Sequence, residues 1–456
     1  MYLIGRSQLI PATLDTNGIG ISFAIDSRFY RIEASEMASH LFLRHFNEWW
    51  AFNAQPHVKL YSLSFAIFGP LLGFNILSAE PLNLALYLLV VVLVYWVARE
   101  LFESNTGLLA AAVVTFWPSL LLHTTQMLRD PLFICSLLLL VLFLIIGVNR
   151  NLSLLQGVFV AVGAVIACVL LWLFRGDMWE LVFLIVVLGV LMSAASQLWA
   201  RRFLPGNVLA ALLLLLLSLA IPRVIPTYRQ LDSSLALTKG INASRTVPPP
   251  RLPGAVFGQA EATSNTGLTK LAQRLGLLRH KFIINYPLAG SNIDTDVELT
   301  GIRAIARYFP RALEIGLFSP FPNMWFIRGE QVGLLGRLLS GLETLCMYAM
   351  MGLALIALVL NRHKLSVWLV FAIVLLGCTA LGYVVVNIST LYRMRYGFWI
   401  LLIILGSKAL RIIKDHRQSV PNLERGEPLS AQLPEVQTHL VVCLGFCCPL
   451  LSAALF

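Results

Sequence analysis

The chain has 456 residues, of which 58% are hydrophobic types and only 12% charged, and its mean hydropathy is +0.78. Soluble domains carry roughly 25% charged and 45–50% apolar residues, so a soluble fold is excluded. With 34 Lys and Arg against 23 Asp and Glu the net charge is +11. No basic, aromatic-interleaved domain stands apart, so the excess fits membrane-facing loops and no nucleic-acid partner is expected.

Residues 1–80 read as an extracytoplasmic or interfacial segment. Pro11, Asp15, Asn17 and Gly18 stand where a secretory signal would need an apolar stretch, so none is expected. Residues 1–55 are mixed and end in Trp49, Trp50 and Phe52; residues 58–78 are apolar but interrupted by Gly69, Pro70 and Gly73, which predicts an interfacial or re-entrant helix. A transmembrane unit follows over 81–225, with spans at 82–101, 106–126, 131–148, 153–174, 179–198 and 207–225, each near the ~20 residues that cross a bilayer as helix. Residues 226–337 read as a large outer loop, with the stiff run Pro248-Pro249-Pro250 and the glycosylation-type triplet Asn242-Ala-Ser244. Its end, 310–328, is apolar but holds Pro320 and Pro322, again an interfacial pattern. Residues 338–418 supply spans at 338–360, 366–388 and 396–414, and 419–456 is a polar linker with an apolar tail just long enough to cross. The expected fold is all-α, a polytopic bundle of about 9–11 spans with interfacial helices, since barrels need short alternating segments.

The cysteines (Cys135, Cys168, Cys346, Cys378, Cys443, Cys447 and Cys448) lie in apolar runs without zinc-like spacing that includes His, so no disulfide framework is expected; no Asp/Glu/His cluster has ligand spacing either, so no metal site is expected. The loops sort into two sets. Arg99, Arg150, Arg201, Arg202, Arg362, Lys364, Lys408, Arg411, Lys414 and Arg417 form the larger, which positive-inside bias makes cytoplasmic. Arg129, Arg175, Arg393 and Arg395 fall on the opposite, extracytoplasmic face.

That outer face gathers four ionisable clusters: Asp26 to Tyr30 with Glu33 and Glu36, Arg129-Asp130, Arg175-Gly-Asp177, and Tyr392-Arg393-Met-Arg395-Tyr396. If the first is helical, Asp26, Tyr30 and Glu33 share a face. Charges at a bilayer edge tend to line functional cavities. A carboxylate there can serve as general base, and arginines suit a phosphate because the planar fork binds its oxygens in pairs. Plainer readings stand beside these. Arg129, Asp130, Arg175 and Asp177 fit salt-bridged helix ends, Arg393 and Arg395 fit snorkelling anchors, Asp26 fits a helix N-cap, and His57 fits a structural histidine.

The order of these features resembles the GT-C superfamily of membrane glycosyltransferases, in particular the bacterial branch of protein mannosyltransferases and lipid A aminoarabinose transferases. Four stretches carry the likeness: Asp26 to Ala34, Pro56-His57 through Gly69, Asn83 to Pro131 with its Ala98-Arg-Glu-Leu-Phe102 turn, and Tyr392 to Trp399. The chain departs from the family in having no span before the acidic loop and a single acid, Asp26, where many relatives have two adjacent.

The resemblance implies a polyprenyl-phosphate-sugar donor and no certain cofactor otherwise, with membrane lipid and a glycan or lipid acceptor as partners. Asp26 corresponds to the catalytic carboxylate, Arg393 and Arg395 to lipid-phosphate ligands, and Arg129 and Asp130 to the cavity lining, with Tyr30 and His57 beside them as substrate-binding candidates. The expected function is sugar transfer to an extracytoplasmic acceptor in envelope or polysaccharide synthesis, in the inner (plasma) membrane. A polymerase or ligase acting on diphosphate-linked glycans also needs outer arginines, but not the early acid. A lipid-linked-glycan transporter calls for matched broken helices at the midplane, and no such halves are visible.

Overall fold

Each long apolar run forms a helix, because in hydrocarbon only a segment that hydrogen-bonds its own backbone leaves no N–H or C=O stranded. A computed structural model describes residues 25–73, 76–225, 267–327 apart from Tyr286 and Leu288, and 333–424. Among these residues there is no strand and one isolated bridge, Asn292 to Asn387. The tail at 438–456 with its three cysteines, Pro248 to Pro250, Asn242 and residues 1–24 lie outside the described residues.

The chain starts with α1 (Ile25–Phe42), α2 (Phe46–Ala51) and α3 (Pro56–Leu72). Ala34, Met37 and Ala38 form one helical face of α1 and pack on Val58, Tyr61 and Phe65 of α3, with Ala79 and Met127 closing the cluster. Full burial of a methionine contributes about 1.5–3 kcal/mol, so this stripe fixes the helix that begins with Asp26. Of the interruptions expected within 58–78, Gly69 and Pro70 lie inside α3, and Gly73, whose φ is 83°, ends it.

The bundle continues with α4 (Glu80–Leu101), α5 (Ser104–Thr115), α6 (Pro118–Thr124), α7 (Asp130–Asn149), α8 (Leu154–Arg175), α9 (Trp179–Trp199) and α10 (Pro205–Val224). After the outer segment come α11 (Gly267–Asn285) and α12 (Ile302–Phe318), then α13 (Gly333–Leu360), α14 (Leu365–Val384), α15 (Ile388–Met394) and α16 (Tyr396–Glu424). Seven helical stretches among the described residues are long and apolar enough to cross a membrane. One of them, Leu154–Trp199, is the hairpin of α8 and α9: Trp172 and Trp179 meet at its turn, with ring centroids 5.3 Å apart. Counting the bent pair α5–α6 as one span brings the candidate stretches among the described residues to eight. The protein is a multi-pass, all-α membrane protein.

The span expected to run straight over 106–126 is instead bent by 68° between α5 and α6. Trp117, at φ −75° and ψ 109°, leaves the helical region because the ring of Pro118 crowds the residue before it. Elsewhere two helices meet backbone to backbone. A Cβ on Gly382 of α14 would lie 1.9 Å from the Ala312 carbonyl oxygen of α12, and one on Gly316 would lie 2.1 Å from that of Cys378. Small residues permit such crossings in membranes.

The two sets of basic residues separate to opposite ends. Lys408 pairs with Glu103 at 2.8 Å, Arg150 pairs with Glu100, and Lys364 and Lys408 both lie over the Phe102 ring. Arg175 and Arg393 meet at the other end.

Candidate active site

Four helix termini converge there. Asp26 opens α1, Asp130 opens α7, Arg175 closes α8, and Arg393 sits in the last turn of α15. They form one alternating chain of charge. Arg393 Nη2 donates to Asp26 Oδ2 at 2.9 Å, and Arg393 Nε lies 2.9 Å from Asp130 Oδ2. Asp130 Oδ1 accepts from Arg175 Nη2. Asp26 is the open end of the chain, its side chain 33% exposed against 6% for Asp130 and 2% for Arg175.

Local contacts hold each terminus. Ser27 Oγ accepts from the Met127 N–H at 3.2 Å, tying the start of α1 to the loop before α7. The Tyr61 hydroxyl donates to Asn83 Oδ1 at 2.8 Å and lies 3.4 Å from the carbonyls of Gln126 and Leu128, which pins that loop to α3 and α4. α15 is capped by Asn387 Oδ1, which accepts from the Thr390 N–H at 3.0 Å. Its approach is paired with the outer segment: Ile293 N–H donates to Val386 O and Ile388 N–H to Ser291 O, both at 3.1 Å. Arg279 clamps that segment by donating to the carbonyls of Asp294, Val297 and Tyr383.

Tyr30, His57 and Arg129 border the charge chain. The Tyr30 and His57 rings meet edge to face, 4.4 Å between centroids. Burial pushes the His57 imidazole down to about 3, with Arg129 lowering it further and Asp130 opposing, so it is neutral near pH 7. Burial likewise raises the Tyr30 phenol above its usual value, partly offset by Arg129. Burial pulls the Arg129 guanidinium down, but Asp177, Tyr30 and Asp130 outweigh it and hold it above its ordinary value. Several buried polar atoms in this region have no hydrogen bond among the described residues: His57 Nε2, Arg175 Nε, and the facing pair Arg393 Nε and Asp130 Oδ2, close in space but out of line. Leaving such atoms unsatisfied costs about 1–3 kcal/mol each, so each calls for a partner, a water or a ligand group.

Six of the seven residues expected from sequence thus meet at one end of the bundle, and Arg395 is set apart. Its side chain is fully buried, its guanidinium stacked 3.7 Å from the Trp399 ring centroid. Nη1 donates to Gly316 O at 3.0 Å, and Nη2 donates to Ser319 O. These are carbonyls at the C-terminal end of α12, where a cation is favoured by the helix dipole. Arg395→Leu is expected to destabilise the protein by about 1–3 kcal/mol per carbonyl left unpaired. The check is a thermal melt in detergent.

A buried carboxylate that the sequence reading passed over lies nearby. Glu343 of α13 is 4% exposed, and its Oε1 accepts from the Ser119 N–H at 2.6 Å. Its Oε2 accepts from the Ser119 and Tyr392 hydroxyls, and the Tyr396 hydroxyl bonds Ser119 in turn. The signal was present as an isolated acid inside the apolar run 338–360, and an ionisable residue inside a span is a functional candidate by default.

Residues 57–172 match the family of dolichyl-phosphate-mannose-protein mannosyltransferases. No curated protein matches the chain. Among solved structures, it is similar to the archaeal oligosaccharyltransferase AglB from Archaeoglobus fulgidus, in complex with an inhibitory peptide and a dolichol-phosphate. Identity is 14%, coverage 92% of this chain and 50% of that one, and the TM-score 0.42. The chain spans about half the length of that protein. The family match takes in His57, Arg129 and Asp130, whereas Asp26, Arg175 and Arg393 lie outside it. The resemblance to GT-C membrane glycosyltransferases read from the residues is therefore supported independently over α3 to α8.

Proposed function

We propose that the protein is a glycosyltransferase that moves a sugar from a polyprenyl-phosphate-linked donor to an extracytoplasmic acceptor, a glycan or lipid precursor of the cell envelope, in the inner (plasma) membrane. The observation that carries this reading is the contact between Asp26 and Arg393 at the mouth of a buried charge chain. A polyprenyl phosphate can present its headgroup only at the bilayer surface, so a guanidinium at a helix end is where its phosphate would be met.

Asp26 takes the proton from an acceptor hydroxyl or amine as that group attacks the anomeric carbon. The sugar–phosphate bond breaks, and the polyprenyl phosphate leaves with the bonding electrons. Arg393 neutralises the departing phosphate, as fixed cations do wherever charge develops in a transition state. Asp26 and phosphate compete for the same guanidinium, so donor binding draws Arg393 away and releases the carboxylate to act as base. Asp130, itself paired with Arg175, holds Arg393 from behind. Neutral His57, Tyr30 and Arg129 offer hydrogen bonds to sugar or phosphate oxygens.

The test is Asp26→Asn in membranes supplied with labelled polyprenyl-phosphate sugar. General-base loss typically costs about 100- to 10,000-fold, and a fall of at least 100-fold is expected. Undiminished transfer would remove Asp26 from the mechanism.

A further inference from the structure

The turn between α1 and α2 assembles a ligand set outside the charge chain. His40 lies in the last turn of α1, His45 is the N-cap of α2, and Glu48 is in the first turn of α2. Between them Arg44 adopts a left-handed φ of 59°, which folds the chain back so that the His45 N–H donates to the His40 carbonyl at 2.8 Å. That reversal brings both imidazoles to one carboxylate oxygen. His40 Nδ1 lies 3.1 Å and His45 Nδ1 3.3 Å from Glu48 Oε2. One ligand atom from each residue lies within 4.8 Å of the other two.

We infer that His40, His45 and Glu48 bind a zinc-class divalent cation. Ligands about 2.0–2.1 Å from a tetrahedral zinc are separated from each other by roughly 3.3 Å, and both nitrogen-to-oxygen separations match that edge. Two neutral imidazoles and a carboxylate suit zinc or its neighbours in the first transition row, whereas calcium and magnesium prefer all-oxygen sets. The plainer alternative is an imidazole–carboxylate contact on the surface. The two differ in one respect: a carboxylate oxygen flanked by two Nδ1 atoms either shares two protons or replaces them with one cation. The side chains are 26%, 50% and 60% exposed, so the site is open to solvent and a water completes the fourth position. Bound metal would staple the end of α1 to α2. This inference does not depend on the proposed reaction.

The experiment uses the full chain in detergent or nanodiscs, dialysed against zinc and washed with a weak chelator. Metal is then counted per chain, and cobalt substitution is followed by its tetrahedral absorption bands. One retained zinc per chain is expected, with tetrahedral cobalt bands and a zinc-dependent rise in melting temperature. His45→Ala and Glu48→Gln should each weaken binding at least tenfold and abolish that rise. Both side chains are exposed, so the metal-free melting temperatures should match the unsubstituted protein, and His363→Ala should retain zinc. Equal zinc retention by His45→Ala, Glu48→Gln and the unsubstituted protein would overturn the inference, as would no retention by any of them.

Discussion

Arg393→Gln is expected to reduce sugar transfer by about 100- to 1,000-fold, the usual effect of removing one preorganised donor from a transition-state site. The guanidinium contacts two carboxylates at once, Asp26 at 2.9 Å through Nη2 and Asp130 at 2.9 Å through Nε. Its loss leaves Asp26 without its cation and Asp130 dependent on Arg175 and Arg129. Breaking a buried charge pair costs about 3–5 kcal/mol, so some destabilisation accompanies the loss. The double change Asp26→Asn with Arg393→Gln separates the effects: the added Asp26→Asn removes the carboxylate left without its cation, while Asp130 keeps its bond to Arg175. It should recover part of the melting temperature and none of the transfer. Arg393→Lys should fall short of rescue, because an ammonium is a point charge and cannot span both carboxylates with the arginine fork. Labelled-donor transfer and melting curves on the same membranes check all three. Normal transfer by Arg393→Gln would remove the phosphate role assigned to this residue.

The second large effect is at Glu343. Glu343→Ala leaves the Ser119 N–H and the Ser119 and Tyr392 hydroxyls without their acceptor in the bundle interior. At about 1–3 kcal/mol for each stranded group, the loss is large against the 5–15 kcal/mol that typically holds a folded domain. Tyr392 immediately precedes Arg393 on α15, and Ser119 lies on the short helix that leads to Asp130. The substitution should therefore loosen both sides of the site and raise donor KM together with lowering the melting temperature. Glu343→Gln keeps one acceptor oxygen and should recover part of each. A Glu343→Ala protein with unchanged melting temperature and kinetics would show that the network carries no load.

The fold was legible because lipid imposes a strict rule: an apolar run of the right length has to be a helix. The run over 106–126 reads as one span because its apolar character continues across Trp117 and Pro118; what decides the bend is ring sterics at one residue, which hydropathy does not register. The site was legible by parts. Asp26 and Arg393 both stand out as outer-face charges, but their separation of 367 positions hides the contact. The pairing of Arg393 with Arg395 was misleading for a simple geometric reason. Positions two apart on a helix do not face each other, so one guanidinium turns to Asp26 and the other to the end of α12. Arg175 was visible as a charged turn, but its bond to Asp130 depends on how α8 packs against α7. Glu343 stands alone among apolar residues, and its partners on α6 and α15 come from far along the chain.

Glu343 and the bend at Pro118 explain each other. A helix that stops and restarts in hydrocarbon must find acceptors for the amides at the restart, and the Ser119 amide finds the Glu343 carboxylate. A carboxylate in the same medium must find donors, and the kinked span delivers them from Ser119 at one point. Neither the corner nor the acid is tolerable in lipid by itself. Straightening the span would therefore strand the acid just as deleting the acid would strand the corner, and the two can be changed cheaply only together.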